Sequence, residues 1–309
     1  MSSDRPFRLG ARGSALARWQ ADWVADRLRA LGHAVEVIEI RTSGDAQQVG
    51  PIHEIVGGGG QGVFTKEIQR ALLDERIDLA VHSLKDLPTT PVEGLAVAAT
   101  PERAPIADAF ISNAANSIDE LPQGARIGTG SFRRKAQLLN RRPDLVIGDL
   151  RGNVDTRLRK LDEGEHEAIL LAEAGLTRLG LTDRITQRVP LEVLLPAPGQ
   201  GALGVECRGS DDRTREAVGQ LNHSPTHAAV TAERTALARL EGGCLAALGA
   251  WGRIDSGQLK LRVVVLSEDG QQRLDSEAIG DPDHAAELGA SVAEDLLSRG
   301  AADLLCRRS

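Results

Sequence analysis

Short apolar runs alternate with helical patterns through the first half of this 309-residue chain, and that alternation limits its fold more than any other feature. FRLGA at 7–11 precedes an amphipathic stretch that Ser14 caps and Gly32 ends. AVEVIEI, a helix from about Thr65 to Glu75, LAVHS and LAVAA follow. Strands of period two separated by helices of period 3.6 predict βαβ units and a parallel sheet. The pattern repeats in AFIS, RIGTG, the helix SFRRKAQLLNRR, LVIGD, the helix NVDTRLRKL and EAILLA, which predicts a second lobe of similar build.

Two proline-bearing stretches, TPERAP (100–105) and PAPGQG (196–201), flank this second lobe, and GALGVEC after the latter reads as one more strand. If that strand returns to the first sheet, the chain forms two doubly wound α/β lobes facing a cleft, with ligand chemistry at the carboxyl ends of the strands. The expected boundaries are 1–101 completed by 202–221 for lobe 1, 102–201 for lobe 2, and 222–309 for a C-terminal α+β domain. In that last domain a helix from about Asn222 to Glu241 precedes AALGAWGRI, LKLRVVVLS and RLDSEAIG, which alternate like an antiparallel sheet, and a helix from about Asp283 to Arg299 closes it. GGGG at 57–60 marks 41–62 as a loop, because so much backbone entropy opposes a regular element.

Composition narrows the function. With four Phe, three Trp and no Tyr, the chain cannot build the stacking platforms of single-stranded nucleic-acid binders, and its net charge of −7 opposes generic attraction to a polyanion. No apolar run approaches the roughly 18 residues of a membrane span, and MSSDRPFRLG lacks the pattern of an export signal, so a cytoplasmic protein without membrane or nucleic-acid partners is expected. Three cysteines without CxxC spacing suggest neither a disulfide framework nor a zinc site, and no metal is expected. Within the acidic chain, residues 123–160 carry ten Lys/Arg against three Asp, a local excess suited to a small anion.

Three places could carry chemistry. HSLKDLP (82–88) follows the apolar run IDLAV, so Ser83, Lys85 and Asp86 should emerge at the carboxyl end of a strand. This is either a solvated loop or a site in which a carboxylate among basic groups stabilises a cationic intermediate. GTGSFRRK places Ser131 as an N-cap with Arg133 and Arg134 in the first turn, and LRGNVDTR places Arg151 before a helix and Arg157 early within it. Cations at a helix N-terminus oppose the dipole, so an anion site there competes with simple pairing to surface acids. In ARLEGGCLAALGAW, Gly242 and Gly243 end a helix and strip bulk from beside Cys244, leaving a thiol open to a covalent partner. Cys207, alternating within GALGVEC, reads as a small buried hydrophobe.

Taken in order, AVHSLKDLP, GTGSFRR, RRPDL, LRGNVDTRL, AGLTRLGL, LPAPGQGALGVECR, LNH and TAERTALARLEGGC resemble the porphobilinogen deaminase (hydroxymethylbilane synthase) family along nearly the whole chain. The resemblance implies two periplasmic-binding-protein-like lobes and a dipyrromethane cofactor held by a thioether to Cys244. It also implies a transferase that deaminates and joins four porphobilinogen molecules head to tail and releases hydroxymethylbilane in tetrapyrrole and heme biosynthesis. Asp86 would be catalytic, able to stabilise the azafulvenium left when ammonia departs. Cys244, Lys85, Ser83, Ser131, Arg133, Arg134 and Asp86 would hold the cofactor. Arg12, Ser14, Gln20, Arg151, Arg157, Arg178 and Gln200 would meet substrate carboxylates, each pyrrole bearing an acetate and a propionate. A monomer is expected. The competing function is a non-enzymatic receptor for small carboxylates, which two hinged lobes with arginines would also describe. The chain departs from the family pattern at Gly130, where relatives often carry a serine, at Leu245–Ala247, where QVP is common, and at Glu54 and Gln61, where lysines occur.

Overall fold

The computed structural model describes residues 5–40, 65–240 and 246–306. Cys244 and the glycine-rich segment 41–62 lie outside the described residues. The chain opens with strand β1 (Phe7–Ala11), helix α1 (Ala15–Ala30), strand β2 (Val35–Glu39), helix α2 (Lys66–Leu73) and strands β3 (Leu79–Ser83) and β4 (Leu95–Ala99). Next come β5 (Asp108–Ser112), β6 (Arg126–Gly128), α3 (Phe132–Arg141), β7 (Val146–Gly148), α4 (Val154–Asp162), β8 (Ala168–Ala172), α5 (Glu173–Arg178) and β9 (Gln187–Arg188). The remainder holds β10 (Leu203–Arg208), α6 (Asp212–Gly219), α7 (Ser224–Arg239), β11 (Leu248–Asp255), β12 (Gln258–Leu266), β13 (Arg273–Gly280), α8 (Ala285–Ser298) and α9 (Ala301–Cys306).

Two compact units result, Met1–Arg103 with Ala202–His227, and Ala104–Gly201 with Ala228–Ser309. The first unit is built on a sheet of order β2-β1-β3-β10-β4. Its strands alternate their side chains between two apolar layers. Leu79, Val81, Val205 and Cys207 pack with Ala21, Val24 and Leu28 of α1 and with Ala217 and Val218 of α6, while Ala80 faces Ile68, Ala71 and Leu72 of α2. A fully buried leucine such as Leu28 or Leu79 contributes roughly 1.5–3 kcal/mol. The sheet is mixed, which corrects the expectation of a parallel one. β1 runs parallel to β2 and β3, but β10 runs antiparallel to both neighbours, pairing Leu203 with Ser83 and Cys207 with Leu79. The strand rejoins this sheet after the whole second lobe and not through a βα crossover, so nothing in its connection imposes parallel pairing.

The second unit combines a sheet of order β7-β6-β8-β5-β9 with the three antiparallel strands β11-β12-β13. Here β6 is parallel to β7 and β8, and β5 is antiparallel to β8 and β9. One face of the three-stranded sheet is covered by α7, α8 and α9 through residues such as Ala232, Ala236, Val263, Val292, Leu296 and Leu304. Its other face packs Val264 and Leu266 with Ala136 of α3 and Leu195. A β-carbon at Gly249 would lie 2.7 Å from that of Leu195, so the close approach of β11 requires glycine. Three helices escape the sequence reading, α5, α6 and α9. The signal for α6 is local, since Asp211 accepts the Thr214 amide at 3.0 Å as an N-cap.

Candidate functional site

β3 delivers the HSLKDLP segment. Its last residue, Ser83, leads into a 3-10 helix spanning Leu84–Asp86. Leu84 and Leu87 are buried on either side, and the Leu84 amide donates to the Ala202 carbonyl at 3.0 Å. Between two anchored leucines, Lys85 is left half-buried and Asp86 exposed. Pro88 holds Leu87 extended and stops the helix after one turn. Gln20 of α1, itself buried, donates its amide to Ser83 Oγ at 2.9 Å. Ser14 caps α1 by accepting the Ala17 amide at 3.4 Å, and Arg12 lies just before it on the connection from β1. Because β1 and β3 are parallel neighbours, Arg12, Ser14, Gln20, Ser83, Lys85 and Asp86 gather at one edge of the first sheet, the carboxyl end of both strands.

The arginines of the second unit form a different arrangement. Ser131 caps α3 by accepting the Arg134 amide at 3.4 Å. Arg133 and Arg134 are only 4% and 5% exposed, and both turn to Asp108, the fully buried first residue of β5. Arg134 donates Nε and Nη2 to Asp108 Oδ1 at 3.1 and 2.7 Å, and Arg133 Nη1 pairs with Oδ2 at 2.8 Å. Gln200 adds its amide to Oδ1 at 3.0 Å. Burial opposes the charge on Asp108, yet the Arg133 and Arg134 charges outweigh it and hold the carboxyl well below the usual carboxylate range. Two guanidiniums on one carboxylate leave an excess positive charge. Arg178 of α5 donates to the Gly201 carbonyl at 2.7 Å, next to Gln200, and burial lowers its pKa to about 10. Gly201 has φ +84, and a β-carbon there would come within 2.5 Å of the Ala104 carbonyl oxygen, so this turn demands glycine.

On the connection from β7 to α4, Arg151 Nε meets Asp149 Oδ2 at 2.7 Å, and Arg157 Nε donates to the Gly152 carbonyl at 2.8 Å. The basic run is less open than its charge count suggests. Lys135, Arg141, Arg142, Arg151, Arg159 and Lys160 each pair with a carboxylate, whereas at the start of α3 Arg133 and Arg134 share one. Gly130 has a steric reason, because a β-carbon there would sit 3.0 Å from the Leu150 carbonyl oxygen. Sequence reasoning missed Asp108, whose only local signal is an acid opening an apolar strand, and the buried group His82, Gln69 and Glu206 beneath the HSLKDLP turn.

Residues 7–216 match the family described as "Porphobilinogen deaminase, dipyromethane cofactor binding domain", and residues 227–298 match "Porphobilinogen deaminase, C-terminal domain". The chain belongs to the porphobilinogen deaminase family. The porphobilinogen deaminase of Desulforudis audaxviator strain MP104C is 51% identical over 305 residues, 98% of either chain. Among solved structures, a methionine binding protein is similar at 12% identity and a TM-score of 0.45, over 71% of this chain and 90% of that one. An ABC transporter periplasmic substrate-binding protein from Coxiella burnetii gives 16% and 0.45, over 71% and 93%. Likeness at that level carries no functional weight.

The porphobilinogen deaminase cofactor domain implies a dipyrromethane, and the donor set fits one. A pyrrole pair with four carboxylates needs forked cationic donors and hydroxyls. Within the second unit, Arg133 and Arg134, two guanidiniums on the single Asp108 carboxylate, and the hydroxyl of Ser131 are donors of that kind.

Proposed function

We propose that the chain is the transferase of this family, which deaminates four porphobilinogen molecules, joins them head to tail on a dipyrromethane primer and releases hydroxymethylbilane. The observation that carries the reading is the 51% identity along 98% of the chain, joined to an exposed Asp86 held on an anchored turn. When bound, dipyrromethane supplies the pyrrole carbon to which substrate units are added; Cys244 is the proposed thioether tether.

Asp86 is the proposed catalytic group. As ammonia leaves the aminomethyl carbon of porphobilinogen, positive charge develops, and a carboxylate fixed nearby stabilises it and takes up or returns pyrrole protons. Lys85 and Ser83, the latter oriented by Gln20, bind carboxylates or ring N–H groups beside it. Ser131, Arg133 and Arg134 hold the cofactor acids. Arg12, Ser14, Arg151, Arg157 and Arg178 take those of incoming units, with Gln20 and Gln200 orienting neighbours. Each Arg–carboxylate hydrogen bond contributes about 1.5–3 kcal/mol, enough for several to retain a polyacid as it lengthens.

The proposed domains are 1–101 with 202–221, 102–201, and 222–309, in a cytoplasmic monomer. Among the described residues no helix is long and apolar enough to cross a membrane. Intact mass in denaturing solvent tests the reading. An adduct of two linked pyrroles is expected, absent from Cys244→Ser, and porphobilinogen should be consumed; a bare polypeptide mass with no turnover overturns it.

A further inference from the structure

We infer that Glu206, with His82 and Gln69, is a positioning residue that sets the Asp86 turn. Glu206 is 4% exposed and its carboxylate meets two buried neighbours. Its Oε2 accepts from His82 Nε2 at 2.9 Å and its Oε1 from Gln69 Nε2 at 3.0 Å. Gln69 comes from α2, His82 from β3 and Glu206 from β10, so one carboxylate ties three elements. His82 and Ala80 share the face of the sheet covered by α2, whereas Ser83 lies on the α1 face, where Gln20 holds it. Consecutive residues at the end of β3 are therefore fixed from opposite sides.

The same face of β10 receives the turn itself. Ala202 accepts the Leu84 amide, a β-carbon on Gly204 would meet Leu84 Cδ1 at 2.9 Å, and Glu206 engages His82, which stands opposite Gly204 in the register. Positions 202, 204 and 206 thus act as a template: one orders the turn's backbone, one seats its first side chain, and one fixes the residue two before it. An apolar trio of equal volume would hold helix to sheet without burying a carboxylate. What the polar group adds is orientation, since both oxygens are directed and the imidazole cannot rotate without losing its partner. Asp86 stands two residues beyond Leu84, and displacing a catalytic group by about 1 Å costs on the order of a hundredfold in rate.

The inference rests on Asp86 being catalytic and is tested separately from it. Holoenzyme, its adduct verified by mass, is compared as wild type, Glu206→Ala, Glu206→Gln and Gln69→Ala, with kcat, KM and amide hydrogen exchange as readouts. Glu206→Ala should lower kcat about ten- to a hundredfold, with KM within about twofold, and speed exchange at the Leu84 and Leu87 amides but not in α7. Glu206→Gln should stay within about threefold of wild type, because the Gln69 amide can turn over and keep both hydrogen bonds. Gln69→Ala, a helix-compatible change, should give an intermediate loss, and it decides the matter if Glu206→Ala does not fold. Wild-type kcat in a folded Glu206→Ala or Gln69→Ala enzyme overturns the brace. Glu206→Gln as impaired as Glu206→Ala also overturns it, assigning the effect to charge. Full turnover by Asp86→Ala would instead sink the catalytic assignment, while the exchange data still judge the brace.

Discussion

Asp108 and Arg134 meet with two guanidinium nitrogens on a single carboxylate oxygen, Nη2 at 2.7 Å and Nε at 3.1 Å, inside the second lobe. Arg133 occupies the other oxygen. Asp108→Asn would leave two buried guanidiniums without a counter-charge, and breaking a buried pair in this way costs about 3–5 kcal/mol. Urea unfolding of the variant should show that loss; a change under about 1 kcal/mol would mean that water reaches the arginines.

Asp78 organises the opposite end of the first sheet. It accepts from Arg8 Nη2 at 2.8 Å and Arg5 at 2.9 Å and takes the Arg8 amide at 2.9 Å. Burial works against its charge, but the Arg8 and Arg5 hydrogen bonds prevail and hold the carboxyl well below the usual carboxylate range. Such a group stabilises the fold above its unfolded value of about 3.9, and the contribution is lost as pH falls through the folded value. Asp78→Asn should therefore cost about 2–3 kcal/mol at pH 7. Its stability should also fall less steeply than wild type below about pH 4. Parallel acid limbs for the two proteins would contradict the assignment.

Most elements were legible because their cause is local. FRLGA, LAVHS, LAVAA and EAILLA are apolar runs of strand length, and Ser14 and Ser131 are N-caps that the structure reproduces. The directions of β5 and β10 were not legible, since direction depends on how the chain travels between sheets and not on the residues in the strand. The candidate site divides the same way. The exposure of Asp86 follows from a strand ending between two leucines and a proline, all visible in seven letters. The burial of Arg133 and Arg134 follows from an aspartate about 25 residues earlier, and no periodicity connects the two.

Cys207 offers a direct contrast in thiol chemistry. It is fully buried in the layer between the first sheet, α1 and α6, and burial pushes its pKa up to about 11. Since the thiolate is the reactive form, Cys207 should resist iodoacetamide at pH 8 in the native protein and react only on unfolding. Peptide mapping of alkylated protein reads this out, and rapid native labelling at Cys207 would contradict the packing. Cys207→Ala should keep activity while losing about 1 kcal/mol or more of stability for the cavity.

The His166 ring packs against two register partners, Gly128 of β6 and Gly148 of β7, where β-carbons would come within 2.7 Å of Cδ2 and 2.5 Å of Cε1. Both ring nitrogens are buried without a hydrogen-bond partner among the described residues. Burial lowers its pKa, Arg126 and Lys160 push the same way, and Glu165 and Glu167 oppose them. A histidine held below its unfolded value of about 6.5 contributes fully above that pH and loses its contribution as pH falls, because the unfolded chain takes the proton first. Unfolding free energy measured by denaturant should therefore decline from pH 7 toward 5, and His166→Leu should flatten that slope; identical slopes would exclude His166 as the cause. The cradle predicts a coupling as well. Gly148→Ala should cost about 1–3 kcal/mol by overpacking against the ring. In the double variant with His166→Ala most of that cost should vanish, and simple additivity would show that the glycines serve some other contact.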